Sequence, residues 1–171
     1  MDGLPAPLYY VSPGQVNLQV PYEIAPGPAT LTVHTPDGRS VDQAIYVNPV
    51  APGVFTTTDR HIVPSSQARA GDYATLFING QGPVSPVATA GASPPNPDHV
   101  PVSGLPSPYA YVQVFVAGVE ASTVFVGIPY FLAGVTQVNF LVPPSTPVGT
   151  QPVEVRVAGI PAAQSVIDIQ H

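Results

Sequence analysis

Apolar and polar residues alternate along most of this chain. In the stretch QVNLQV, Val16, Leu18 and Val20 share one side, while Gln15, Asn17 and Gln19 share the other. That period of two is the mark of a strand with one face buried. VEVRV at 153–157 repeats the pattern, with Glu154 and Arg156 directed outward. The same reading predicts strands at 8–11, 29–34, 44–47, 73–78, 111–116, 123–126 and 165–169. Helical spacing with caps is absent. Turn signals separate the strands: Pro36-Asp37-Gly38, Asn79-Gly80, Ala117-Gly118 and Ala158-Gly159. Short strands punctuated in this way predict an all-β sandwich.

The pattern also repeats. SPGQVNLQVP, ending at Pro21, returns as GVTQVNFLVP, ending at Pro143, so Gln15, Asn17 and Pro21 correspond to Gln137, Asn139 and Pro143. The correspondence extends backward, from DGLPAPLYYV (residues 2–11) to AGVEASTVFV (residues 117–126). It also extends forward, through Gly27 and Gly149 to QAIYV and SVIDI. Ahead of the second copy lie AGDYATLFINGQGPV and YAYVQVFV, which read as the front half of a sandwich; nothing equivalent precedes the first copy. The expected organisation is therefore the back half of one immunoglobulin-like unit (1–49), then a complete related unit (50–171). The join is NPVAPGVF at 48–55. Between the front-half strands, residues 83–108 carry eight prolines and are expected to form a long extended loop.

A half sandwich has an apolar face without a partner. Leaving Val16, Leu18, Val20, Leu31 and Val33 in water forgoes roughly 1.5–3 kcal/mol each, comparable in sum with the stability of a domain. Cover is expected from the complete unit, from another subunit or from further sequence. Val16, Leu18, Val20, Tyr9 and Tyr10 are thus candidate interaction residues.

PAPLYYVSPGQVNLQVP, APGVF and GDYATLFINGQGPV together resemble the Solibacter-type C-terminal domain family of large secreted acidobacterial proteins. The resemblance covers most of the chain. It implies a secreted or cell-surface, modular, C-terminal placement. That family has no established activity, so the resemblance assigns no functional residues. At the level of fold the units also resemble the E-set/TIG-like group of immunoglobulin-like domains, spacers and binding modules for the most part.

Composition narrows the function. Only 8% of residues are charged, and four Arg with no Lys face ten acids for a net −6. Nucleic acid and anionic lipid are poor partners for such a surface. A weakly charged surface suits a protein covered by neighbours better than a free monomer. There is no Cys, hence no disulfide, thiolate metal site or Cys nucleophile. No apolar run approaches 18 residues, and no leader peptide is read at the N-terminus; Met1-Asp2-Gly3 is expected to be a non-native start or an internal cut. N-glycosylation sequons are absent, so they give no clue to location.

Chemistry is sparse. Nucleophile elbows, HExxH, phosphate loops and dinucleotide fingerprints are all missing. His34, His61, His99 and His171 stand apart from one another. Asp59 and His61 in TDRH supply two members of a triad without a placed Ser, and a solvated connector is the simpler reading. Asp37 and Asp42 distantly suggest a weak Ca2+ loop, without the bidentate Glu; Asp98 with His99 is a lesser candidate. Asn17 and Asn139 are expected to bond a neighbouring loop backbone, with a ligand-facing amide as the alternative. No enzyme, cofactor or catalytic residue is expected. The expected function is structural or adhesive, through protein–protein contacts that extend to polymerisation. The alternative is carbohydrate binding by exposed tyrosines: Tyr109 and Tyr111 alternate onto one face, and Tyr9, Tyr10 and Tyr22 cluster in the half unit. No Trp accompanies them.

Overall fold

The computed structural model describes residues 1–95, 98 and 100–171. Its first part holds two antiparallel ribbons, β1 (Leu8–Ser12) with β2 (Gln15–Leu18), and β3 (Gly27–His34) with β4 (Ser40–Val47). Next come β5 (Gly53–Val54), β6 (Gln67–Arg69), β7 (Tyr73–Asn79) and β8 (Val84–Ser85), a 3₁₀ turn at Val102–Gly104, and β9 (Ser107–Pro108). The chain continues through β10 (Val112–Val116), β11 (Val119–Ala121), β12 (Thr123–Gly127), β13 (Thr136–Leu141), β14 (Gly149–Val157), β15 (Ile160–Pro161) and β16 (Ser165–Gln170). The architecture is all-β, as the alternation predicts. None of the helices among the described residues is long and apolar enough to cross a membrane.

Two sheets form a sandwich over the region expected to be complete. One runs β11-β10-β14-β16-β6, with β15 beside β14; the other runs β12-β13-β7-β5. Alternate residues of each strand meet between them. Leu76 and Ile78 of β7, Val114 and Val116 of β10, Val138 and Phe140 of β13, Val153 and Val155 of β14, and Ile167 of β16 are wholly buried in one cluster. The opposite faces carry the polar residues, including Glu154 and Arg156, which pair at 2.6 Å with Arg156 lying over the Phe115 ring.

The two copies fold locally alike. Val11 pairs with Val16 and Ser12 with Gln15; Val126 pairs with Val138 and Gly127 with Gln137. Both hairpins slip register at the same step, between Leu8 and Tyr10 in one and between Thr123 and Phe125 in the other. After each Val-Pro a turn closes, with the Ile24 amide donating to the Pro21 carbonyl and the Thr146 amide to that of Pro143. Gly27 faces Val47 as Gly149 faces Ile169, and both glycines have positive φ, a backbone shape that favours residues without Cβ.

The copies differ in what lies around them. β13 is paired on both edges, by β12 and β7, and β14 by β10 and β16; β2 pairs only with β1, and β3 only with β4. The ribbons of the first copy are joined to neither large sheet. Gln19 and Tyr22 link them to the rest, through the Gly91 amide and Gln81 Nε2. The Ala51 amide donates to the Gly80 carbonyl at 2.8 Å, and a Cβ on Gly80 would lie 1.8 Å from the Ala51 carbonyl oxygen.

The Pro-rich segment departs from the expected free extended loop. It pairs β8 with β9, buries Val84 and Leu105, and is tied to the ends of both copies. The Gly91 amide donates to Gln19 Oε1 at 2.8 Å, the Ile128 amide to the Pro106 carbonyl at 2.7 Å, and the Tyr130 hydroxyl to the Val100 carbonyl at 2.6 Å. Pro here stiffens a packed strap.

Candidate interaction surface

Residues 8–46 expose a series of apolar side chains. Val16, Val20 and Val33 are 40%, 43% and 40% exposed, and Leu18 and Leu31 are half-buried. Their counterparts Val138, Phe140, Val142, Val153 and Val155 are completely buried. Full closure of this face by the complete unit, one of the three expected forms of cover, is therefore not met within the chain. The two copies differ in their edge partners: β13 and β14 are flanked by β7 and β10 in their sheets, and among the described strands β2 and β3 have no such second neighbour. Leu8, Tyr9, Tyr10, Val11, Val41 and Tyr46 extend the exposed apolar area over the same two ribbons. Such an area on a chain with few charges marks a contact surface.

Two residues close part of it. Met1 is buried, and its carbonyl accepts from the Leu4 amide at 2.8 Å. Asp2 brackets Thr30 on the open edge of β3: the Asp2 amide donates to the Thr30 carbonyl, and the Thr30 amide donates to Asp2 Oδ1 at 2.7 Å.

Gln15, Asn17, Gln137 and Asn139 form matched pairs. Gln15 Nε2 donates to Asn17 Oδ1 at 2.7 Å, and Gln137 Nε2 to Asn139 Oδ1 at 2.8 Å. Asn139 Oδ1 also accepts from the Thr75 hydroxyl of β7 at 2.9 Å. The amide thus bonds side chains of its own strand and its neighbour, and not a loop backbone as expected. Asn17 faces an edge where no such neighbour stands. Pro21 and Pro143 are both buried at the ends of their strands.

The tyrosines separate into two groups. In the half unit, the Tyr9 hydroxyl donates to Gln19 Oε1, and the Tyr22 hydroxyl accepts from Gln81 Nε2 at 3.5 Å. Burial pushes the pKa of Tyr22 up. Tyr22 thus links the first copy to the second, whereas Tyr9, bonded to Gln19 of its own copy, is as exposed as Tyr10, at 52% and 51%. Tyr109 and Tyr111, 71% and 68% exposed, line one shallow cleft with Ala110, Thr123 and Val126. A neighbouring depression of about 430 Å³ is lined by Tyr111, Gln113, Glu120, Ser122 and Thr123, and there Gln113 Nε2 donates to Glu120 Oε1 at 3.0 Å.

One cluster was not legible in the sequence. His61 is mostly buried between two carboxylates, with Nδ1 3.0 Å from Asp59 Oδ2 and Nε2 3.2 Å from Asp168 Oδ2. Both contacts are ion pairs once the imidazole is protonated. Asp168 first, and Asp59 second, raise the His61 pKa. Asp168 is lowered by the Thr150 hydroxyl and then by His61, and Asp59 by the Thr57 hydroxyl and then by His61. The sequence reading of TDRH as a solvated connector misses this clamp, because Asp168 arrives from β16. The outward position of Asp168 between Ile167 and Ile169 is its only sequence signal. The hydroxyls that join the group, those of Thr57 and Thr150, donate to its carboxylates, and the clamp fastens the segment around His61 to the last strand.

The two acids of the suggested Ca2+ loop are not brought together. Asp37 accepts from Arg39 Nε at 2.7 Å and from the Thr35 hydroxyl, and Arg39 lowers its pKa. Asp42 lies opposite Thr32 in the β3–β4 ribbon. His99 lies outside the described residues. Among those described, no three His, Asp or Glu side chains are grouped to hold a metal ion. No protein-family model matches this chain, and no curated protein matches it.

Proposed function

We propose that this chain is a non-enzymatic, extracellular bacterial module of the immunoglobulin-like type, akin to the Solibacter-type C-terminal domains, which assembles with other protein chains through its half unit. One observation carries the reading. A set of apolar side chains that is wholly buried in one copy of a repeated sequence is open to water in the other copy, at the same strand positions. A stable surface of this kind is completed by a partner, and strand addition satisfies both its open edges and its apolar face. Light scattering on the purified chain tests this. Defined oligomers or filaments are expected, and Val16→Asp with Val33→Asp returns them to a mass near 17.7 kDa. A wild-type chain that stays monomeric at high concentration, with no gain in size over the double variant, removes self-assembly.

A second reading has its own observation. Tyr109 and Tyr111 are exposed beside a cleft that offers an amide, a carboxylate and hydroxyls, the chemistry that stacks on and hydrogen-bonds a sugar ring. Polysaccharide binding that disappears in Tyr109→Ala and Tyr111→Ala supports it; binding unchanged in both variants removes it.

A further inference from the structure

The cleft at Tyr111 exists because the chain changes sheets beside it. β11 pairs with β10 at Val116–Val119, Phe115–Glu120 and Val114–Ala121, and no further. At Ser122 the chain crosses to the other sheet. The Ser122 carbonyl accepts from the Leu141 amide at 2.9 Å, and Thr123 opens β12 opposite Phe140 of β13. Among the described strands, Val112 and Gln113 of β10 therefore have no partner on that side, while β14 closes the other side from Val112–Val157 to Val116–Val153. The split opens the sandwich edge without opening the core, since Val112 and Val114 stay buried.

Two hollows occupy the split. One, of about 430 Å³, lies against Tyr111, Gln113, Glu120 and Ser122; the other, of about 260 Å³, lies against Tyr109, Tyr111 and Ser107. Tyr111, Val112 and Thr123 line both, so the hollows are two lengths of one groove with Tyr111 between them. Glu120 belongs to the first length alone, where Gln113 Nε2 orients its carboxylate at 3.0 Å. It is the one charged residue among those lining either hollow. Arg156, opposite Gln113 in β14, is taken up by Glu154 at 2.6 Å and lies over the Phe115 ring. The groove thus offers aromatic faces, amide and hydroxyl groups and one negative charge, with no cation lining it.

We propose that this groove binds a neutral, linear polysaccharide over at least two consecutive sugar rings, one on each side of Tyr111. The inference rests on the sugar-binding reading above and names the substrate class. Tyr109 and Tyr111 are exposed and supply large apolar ring faces, on which the C–H faces of pyranose rings stack. Gln113, Glu120, Ser122 and Thr123 supply donors and acceptors for the sugar hydroxyls. A uronate or a sulfated sugar would bring a second negative charge to the Glu120 carboxylate, with no cation in the groove to offset the repulsion. Charge therefore selects against acidic glycans, and the double hollow selects for a chain over a single sugar.

Calorimetric titration of the full chain tests both selections. The probes are cellohexaose, laminarihexaose, mannohexaose and maltohexaose as neutral chains, hexagalacturonate as the acidic one, and the monosaccharide of whichever neutral chain binds. A neutral hexasaccharide is expected to bind roughly tenfold or more tightly than hexagalacturonate, and by a similar factor more tightly than its own monosaccharide. Tyr111→Ala, which alters both hollows, is expected to weaken the hexasaccharide roughly tenfold or more, and Tyr109→Ala less, with thermal midpoints unchanged. Glu120→Gln is expected to narrow the preference for neutral over acidic chains. Hexagalacturonate bound as tightly as the neutral chains, a monosaccharide bound as tightly as its hexasaccharide, or a preference unmoved by Glu120→Gln overturns this proposal and leaves the sugar-binding reading standing. Binding that Tyr111→Ala leaves intact places the sugar elsewhere and overturns the groove. Silence from every probe removes the proposal and the sugar-binding reading together.

Discussion

Val16 and Val138 hold the same position in two hairpins that share their register, their irregular step and their closing turn, yet one is 40% exposed and the other has no exposed surface. Nothing local separates them. Leu18 and Phe140, and Asn17 and Asn139, repeat the lesson, whereas Pro21 and Pro143 are buried alike. Hairpin geometry is set by a few residues of alternating sequence and by turn positions. Burial is set by what the rest of the chain, or another chain, lays across the face. The molecule thus contains its own control: one sequence pattern with its partner sheet and one without.

The largest effect expected on this comparison is at Phe140. Phe140→Ala empties the centre of the sandwich and costs about 3–5 kcal/mol, while Leu18→Ala in the isolated chain costs under about 1 kcal/mol, because its side chain is only half-buried. Urea unfolding of both variants measures the difference. Equal losses would mean that Leu18 is covered in solution, and the asymmetry between the copies would collapse.

Next in size is the amide pair. Asn139 Oδ1 accepts from Gln137 and from Thr75 across to β7, so Asn139→Ala strands two donors and is expected to cost about 1–3 kcal/mol. Asn17 accepts from Gln15 alone at a solvent-facing edge, and Asn17→Ala is expected to stay within about 0.5 kcal/mol. A double-mutant cycle with Thr75→Val sharpens the point. Coupling between positions 75 and 139 is expected, and none between 75 and 17.

What the sequence made legible follows the same division. The long strands β3, β7, β13, β14 and β16 announce themselves through alternation, and their two faces can be assigned from sequence before any contact is known. The short strands β5, β6, β8, β9 and β15 do not. Two or three residues carry no period, and these exist only because a distant strand pairs with them; β6, for instance, pairs with β16. The repeat itself was likewise legible, since the two copies share the spacing of their Gln, Asn and Pro positions. That the first copy's face stays open was not, because cover is a non-local matter. Tyr22, read with Tyr9 and Tyr10 as one cluster, is partly buried and accepts a hydrogen bond from Gln81 of the other unit, while Tyr9 and Tyr10 stay exposed. Tyr109 and Tyr111 read as exposed neighbours and are so.

The smallest expected effect concerns the clamp at His61, which belongs to the complete unit alone. In the first copy Tyr46 takes the place of Asp168, so no second carboxylate is available there. His61 gains affinity for its proton on folding, above its ordinary value of 6.5, and so binds more proton folded than unfolded. Its contribution is therefore complete below about pH 6.5 and is lost as pH rises through the raised value. Asp59 and Asp168 have the opposite sign. Lowered from 3.8, they contribute above that value and lose the contribution as pH falls through their lowered values. The clamp is thus strongest in the mildly acidic window between these limits. Thermal midpoints measured at about pH 5.5 and about pH 8.5 should fall with rising pH in the wild type and fall less in His61→Gln, which cannot carry the charge. Amide exchange assigns the change: Ile62 and Val166, joined through the Ile62 amide and the Val166 carbonyl, are expected to loosen at the higher pH, while the β1–β2 amides stay as they were. If both copies loosen together, the clamp acts on the whole chain, and the two units are more tightly coupled than their separate sheets imply.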